Sequence, residues 1–169
     1  MKTNNRIVVI IEDSKVISET LKFQLESCLN FTVYTFENAK DGIKFIKETK
    51  PDYLILDYHL DHTENEFSNG MKVIKYLKSR NIEIPTVVLS GQSNNEVTTL
   101  LINSGVIDYV NKNNGNFNFG VLDTILDYEK NLDLKRKKKL KKTKIRMRFA
   151  KIMVLTVTLS GFIAYLSFN

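Results

Sequence analysis

The chain has 169 residues, 43% of them hydrophobic and 26% charged, with two prolines, seven glycines and one cysteine. That allows one ordinary domain with its own core plus an appendage. It excludes a Pro/Gly-rich disordered chain, an internal disulfide framework and a cysteine-based zinc site. The net charge of +6 is unevenly placed: through Lys130 there are 14 Lys and Arg against 18 Asp and Glu, and from Asn131 onward 11 against one. The basic character belongs to the tail, and the preceding domain is mildly acidic.

Along the first 130 residues, short apolar runs alternate with amphipathic stretches. Ile7-Val8-Val9-Ile10-Ile11 reads as a buried strand, followed by a helix on which Val16, Thr20, Phe23, Leu25, Leu21 and Leu29 recur at helical spacing. Cys28, near Leu25 and Leu29, is expected to be a buried apolar group there. Phe31 to Phe36 gives a second strand, and Ala39 to Glu48 a helix turning Ile43, Phe45 and Ile46 inward. Tyr53-Leu54-Ile55-Leu56 is the third strand, and Met71 to Lys78 a helix burying Val73, Ile74 and Leu77. Thr86 to Leu89 is the fourth strand, Glu96 to Asn103 a helix, Ile107 to Val110 the fifth strand, and a last helix starts near Asn118. Five strand–helix alternations with nearly continuous apolar strands point to an α/β fold, a doubly wound five-stranded parallel sheet covered on both faces.

In such a sheet the functional crevice lies beyond the carboxyl ends of the strands. Glu12 and Asp13 follow the first strand, Asp57 ends the third, Ser90-Gly91 the fourth and Asn111-Lys112 the fifth. Neighbouring carboxylates repel unless a cation bridges them, and a hard cation such as Mg²⁺ takes oxygen ligands. A carboxylate so placed can act as a nucleophile toward phosphorus, with a lysine and a hydroxyl meeting the transferred oxygens.

These positions, with Tyr109 and the run Ser104 to Lys112, resemble the response-regulator receiver domain, the flavodoxin-like phosphoacceptor module of two-component signalling. The resemblance covers roughly residues 5–130. It implies that Asp57 accepts a phosphoryl group from a histidine kinase or phosphotransfer protein. It further implies that Glu12, Asp13, Asp57 and the backbone carbonyl of His59 hold Mg²⁺, and that Ser90 and Lys112 bind the phosphoryl oxygens. Tyr109 is then the aromatic that reorients as Ser90 moves inward, with readout on the strand-four to strand-five face. Such a protein is a self-phosphorylating and self-dephosphorylating phosphoacceptor rather than a turnover enzyme.

The sequence departs from that family in three places. Asp61 stands where a proline is usual, the stretch from Asp57 to Gly70 is long and acidic, and Lys112 is followed by Asn113 where a cis-forming proline is common. No chemical group is lost from the site, but both loops are expected to be less constrained. His59 and Gln92, each two positions after a site residue, are expected to tune the phosphoryl lifetime, and His62 reads as a solvated loop residue.

Residues 131–151 form a basic juxtamembrane segment, and Ile152 to Phe168 runs seventeen residues without a charge. As a helix that span is about 25 Å long against a hydrocarbon core of about 30 Å. Cations beside a span stay on the cytoplasmic side. The expectation is one transmembrane helix, a tail anchor over 152–168 with the receiver domain (1–130) cytoplasmic and the C-terminus across the membrane. The absence of glycine and proline between Gly120 and Gly161 lets the last helix continue toward it. The basic run lacks the interleaved aromatics of a nucleic-acid arm, so anionic lipid near 135–151 is the expected partner and nucleic acid is not. With no room for an output domain in these residues, the signal is expected to pass to a separate, unidentified downstream protein. The competing reading is a membrane adaptor or scaffold that uses the receiver fold without phosphorylation.

Overall fold

The computed structural model describes residues 6–60, 67–91 and 95–167, without the side chains of 95–97, 154–159 and 161–167. The elements run β1 (Ile7–Ile11), α1 (Lys15–Leu29), β2 (Thr32–Phe36), α2 (Ala39–Thr49), β3 (Tyr53–Asp57), α3 (Gly70–Ser79), β4 (Thr86–Ser90), α4 (Asn95–Asn103), β5 (Asp108–Asn111) and α5 (Phe117–Ser167). All five strands are parallel in the order β2-β1-β3-β4-β5. The order reverses between β1 and β3, which opens a crevice at their carboxyl ends.

Strand alternation divides the core. Val9, Ile11, Leu54, Leu56 and Val88 face one way and pack with Ile43 and Ile46 of α2, Val73, Ile74 and Leu77 of α3 and Leu101 of α4. Val8, Ile10, Ile55, Val87 and Leu89 face the other way; they too are buried, as are Leu21 and Leu25 of α1 and Val121 and Ile125 of α5. The ends of the helices follow from local chemistry. The Asn38 and Asn69 side chains accept from the backbone N–H of the third residue of α2 and α3, Asp41 and Lys72, and Asn30 closes α1 in the left-handed region at φ 52°.

Helix α1 corrects two expectations. Its buried face carries Ser18, Leu21, Gln24 and Leu25, while Val16 and Phe23 stand 77% and 75% exposed. Cys28 is exposed rather than buried. Apolar residues lie all around this helix, so periodicity alone did not single out the face that the sheet covers.

Gly70 fixes where α3 begins. A Cβ there would lie 2.9 Å from the Asp57 carbonyl oxygen and 3.2 Å from the Tyr58 Cα, so only glycine admits this approach to the end of β3. Its N–H donates to the Tyr58 carbonyl at 2.8 Å, and Leu60 is buried. The long connection expected to be loosely held is therefore pinned where it leaves and where it returns. Its residues 61–66, with Asp61 and His62, lie outside the described residues, as does Gln92.

The chain forms two compact units, residues 1–126 and 127–169. In the second, the basic run from Lys135 to Lys151 is helical and exposed throughout. Lys137, Lys141, Lys144 and Arg148 share one side of this helix with Leu140 and Ile145. Among the described residues no helix is long and apolar enough to cross a membrane. Most side chains of the span expected over 152–168 lie outside what is described.

Candidate functional site

Parallel register brings the site together at one edge. Ile11 pairs with Leu56, Asp57 with Leu89, and Ser90 with Asn111, so Glu12, Asp57, Ser90 and Lys112 emerge at neighbouring strand ends. Backbone bonds continue the ladder past each strand: Tyr58 N–H donates to the Leu89 carbonyl and Lys112 N–H to the Ser90 carbonyl, both at 2.8 Å. Each functional side chain is thus carried on sheet backbone or one residue beyond it, which limits its freedom.

The charges meet inside this edge. Glu12 is fully buried and Asp57 is 3% exposed. Lys112 Nζ reaches both, 2.6 Å from Glu12 Oε2 and 2.9 Å from Asp57 Oδ2. The other Asp57 oxygen, Oδ1, accepts the His59 N–H at 3.2 Å. Glu12 Oε1 accepts the Ser14 N–H at 3.2 Å. Among the described residues, the close partner of Glu12 Oε2 is the Lys112 ammonium, a short charge-assisted contact.

Burial pushes the Glu12 carboxyl up from its ordinary 4.5 to about 7, with the Lys112 ammonium opposing and the Asp57 charge adding. Burial alone would lower Lys112, but the two carboxylates outweigh it and raise the ammonium above its ordinary value. Lysine therefore stays charged while it bridges two buried acids. Removing one member of such a group leaves uncompensated charge in a dry place.

Asp13 lies on the exposed rim, yet one oxygen each from Glu12, Asp13 and Asp57 lie within 4.8 Å of one another. Three carboxylate oxygens so close, two of them on buried carboxyls, suit a small hard cation. Ser90 is buried at the end of β4 and Tyr109 is half-buried in β5 against the core. Of the site residues expected from sequence, Glu12, Asp13, Asp57, Ser90 and Lys112 thus lie on this edge, His59 follows two residues after Asp57, and Tyr109 lies on β5 behind it. Asn113 was seen in the sequence only as a missing proline; its side-chain amide in fact donates to the Gly91 carbonyl, a contact that spacing could not reveal.

The comparisons with known proteins agree with this geometry. The family model described as "Response regulator receiver domain" matches residues 8–119. The probable C4-dicarboxylate response regulator DctR of Bacillus subtilis (strain 168) is 29% identical over 106 residues, covering 62% of this chain and 45% of that protein. The chain thus spans about half the length of that curated relative. Among solved structures, the signal receiver domain of a LuxO repressor protein from Vibrio parahaemolyticus superposes with a TM-score of 0.66 at 20% identity, over 78% of this chain and 95% of that one. RcsB from Salmonella enterica serovar Typhimurium, bound to a promoter in the presence of phosphomimetic BeF₃⁻, gives 0.63 at 19% identity over 73% and 67%. These structural likenesses establish the fold. The family match, on a sheet edge that gathers the acids, hydroxyl and lysine, shows that the chain belongs to the response regulator receiver domain family, the phosphoacceptor modules of two-component signalling.

Proposed function

We propose that this chain carries a membrane-tethered response-regulator receiver domain that takes a phosphoryl group on Asp57 from a histidine kinase or phosphotransfer protein. The observation that carries this reading is the buried Asp57 carboxylate with Lys112 Nζ at 2.9 Å and two further carboxylates beside it. An Asp57 oxygen attacks phosphorus, the P–N bond to the donor imidazole breaks, and the imidazole nitrogen keeps the electron pair, leaving an acyl phosphate. Lys112 neutralises one phosphoryl oxygen and the Ser90 hydroxyl donates to another. Attack of water on phosphorus later returns the carboxylate and inorganic phosphate. Glu12, Asp13, Asp57 and the His59 backbone carbonyl would hold Mg²⁺, which when bound offsets charge on the phosphoryl oxygens.

In this reading Tyr109 reorients as Ser90 moves inward, and a separate protein reads the changed β4–β5 face. His59, exposed next to the acceptor, joins Gln92 in setting the lifetime of the acyl phosphate. The tail fits a membrane role. Eleven cations precede an uncharged run, each cation adding about 1 kcal/mol near an anionic leaflet, and the span orients the domain to the cytoplasm.

The test is Mg²⁺-dependent labelling of the full chain by a small phosphodonor, with Asp57→Ala as control. Label lost in the variant supports the acceptor role, and an unlabelled wild-type protein replaces it with a phosphorylation-independent adaptor. Carbonate extraction separately tests the anchor, which fails if the protein leaves with the peripheral fraction.

A further inference from the structure

Ser90 and Lys112 sit on neighbouring strands, and the spacing of their side chains depends on how the two strand ends are joined. The β4–β5 pairing runs from Val87↔Asp108 to Ser90↔Asn111, and the last backbone rung is Lys112 N–H to the Ser90 carbonyl at 2.8 Å. Past that rung the chains lead into separate connections. Asn113 adds one more rung with its side chain: Nδ2 donates to the Gly91 carbonyl. Only the nitrogen end of the amide can face a carbonyl oxygen, so the chemistry sets its orientation.

Asn113 is itself held. Its backbone N–H donates to Asn111 Oδ1 at 2.8 Å, and Asn114 N–H donates to the Asn111 carbonyl at 3.2 Å, closing a turn that aims the Asn113 side chain across the strand ends. A proline at 113 could supply neither the N–H to Asn111 nor the amide to Gly91. The residues just after Ser90 and just after Lys112 are thus clipped together, and the clip touches none of the carboxylates.

We propose that Asn113 is a positioning residue: by clipping Gly91 to the turn after β5 it fixes the Ser90 hydroxyl against the Lys112 ammonium. The inference rests on the reading of Asp57 as acceptor, because spacing matters only if both groups meet one phosphoryl. It assigns to this chain's own amide the restraint on the two loops, and it makes phosphorylation rate depend on a residue that contacts neither phosphate nor metal. Misplacing a reacting group by about 1 Å costs up to a hundredfold. A loosened clip, with the strand rung still present, is expected to cost about tenfold.

The experiment uses the full chain with Asn113→Ala, Asn113→Leu and Asn113→Gln, the last keeping a donor on a longer arm. Two quantities are read: hydrogen exchange at the Lys112 amide without phosphodonor, and the Mg²⁺-dependent labelling rate with acetyl phosphate. The Ala and Leu variants are expected to exchange about tenfold faster and label about tenfold slower, with unchanged Mg²⁺ dependence, and Gln to restore both within about threefold. Unchanged Lys112 exchange in Asn113→Ala overturns the clip, whatever the labelling does. Faster exchange with wild-type labelling overturns the positioning role. Slow labelling that Gln does not restore also overturns it. If the wild-type chain takes no label while exchange responds as expected, the acceptor reading falls, and the positioning role with it, while the clip itself stands.

Discussion

Within residues 1–126 the decisive charges are few, buried and matched atom to atom; from Asp127 onward they are many and exposed along one helix. Lys112 has two carboxylate oxygens within 2.9 Å and sits 14% exposed, whereas the cations from Lys135 to Lys151 all face outward. In the first unit a charge is worth what its geometry makes it worth, because water does not screen it. In the second, solvent and salt screen every cation, and the effect on a partner comes from the sum. The same composition can therefore encode a reaction site and a surface affinity, depending only on where the sheet buries it.

The largest effect should come from the tail taken as a group. Replacing Lys137, Lys141, Lys144 and Arg148 together with Gln should weaken binding to anionic vesicles by about a thousandfold at low salt, at about 1 kcal/mol per cation. A single replacement should cost about tenfold or less. Vesicle co-flotation against salt concentration measures both, and one tail lysine as costly as four would break the contrast. Lys112→Ala should show the opposite behaviour: one residue removed costs about 3 kcal/mol of stability in EDTA, read by urea unfolding.

Glu12 adds a pH signature in the metal-free protein. Its folded-state value, raised to about 7, means that the folded form holds the proton more tightly than the unfolded chain. That contribution is fully present below about 4.5 and is lost as pH rises through about 7. Glu12→Gln should flatten this part of the stability profile, and a profile unchanged by the substitution would place the titration elsewhere. Gly70→Ala should destabilise by about 2 kcal/mol, since the new Cβ meets backbone at 2.9 Å that cannot swing aside. Smallest, and of opposite sign, Gln24→Leu should stabilise by about 1 kcal/mol, because among the described residues the buried Gln24 amide has no partner for either polar atom. A melting temperature that falls instead would show that the amide is satisfied by water.

The sheet was readable because each strand is an unbroken apolar run, and the site because its residues follow those runs directly. Asp57 and Ser90 need only the ends of β3 and β4 to be located, so burying Leu54 to Leu56 and Val87 to Leu89 also positions them. Helix α1 was less readable: Val16 and Phe23 obey helical spacing as well as Leu21 and Leu25 do, and tertiary packing chose between the two faces. Cys28 went wrong with it. The roles of Gly70 and Asn113 depend on backbone approaching from a distant part of the chain. No local pattern announces a Cβ that must be missing, or an amide that must reach 22 positions back to Gly91.

The pinned base of the connection between β3 and α3 has a consequence for how this protein can be altered. Tyr58 and Gly70 are joined by a hydrogen bond of 2.8 Å, which holds the end of β3 and the start of α3 together independently of the residues between them. Lengthening a closed loop costs only about 0.6 kcal/mol for each doubling. Insertions or tags placed between residues 60 and 67 should therefore leave the end of β3 in place, provided His59, whose N–H donates to Asp57 Oδ1, is kept.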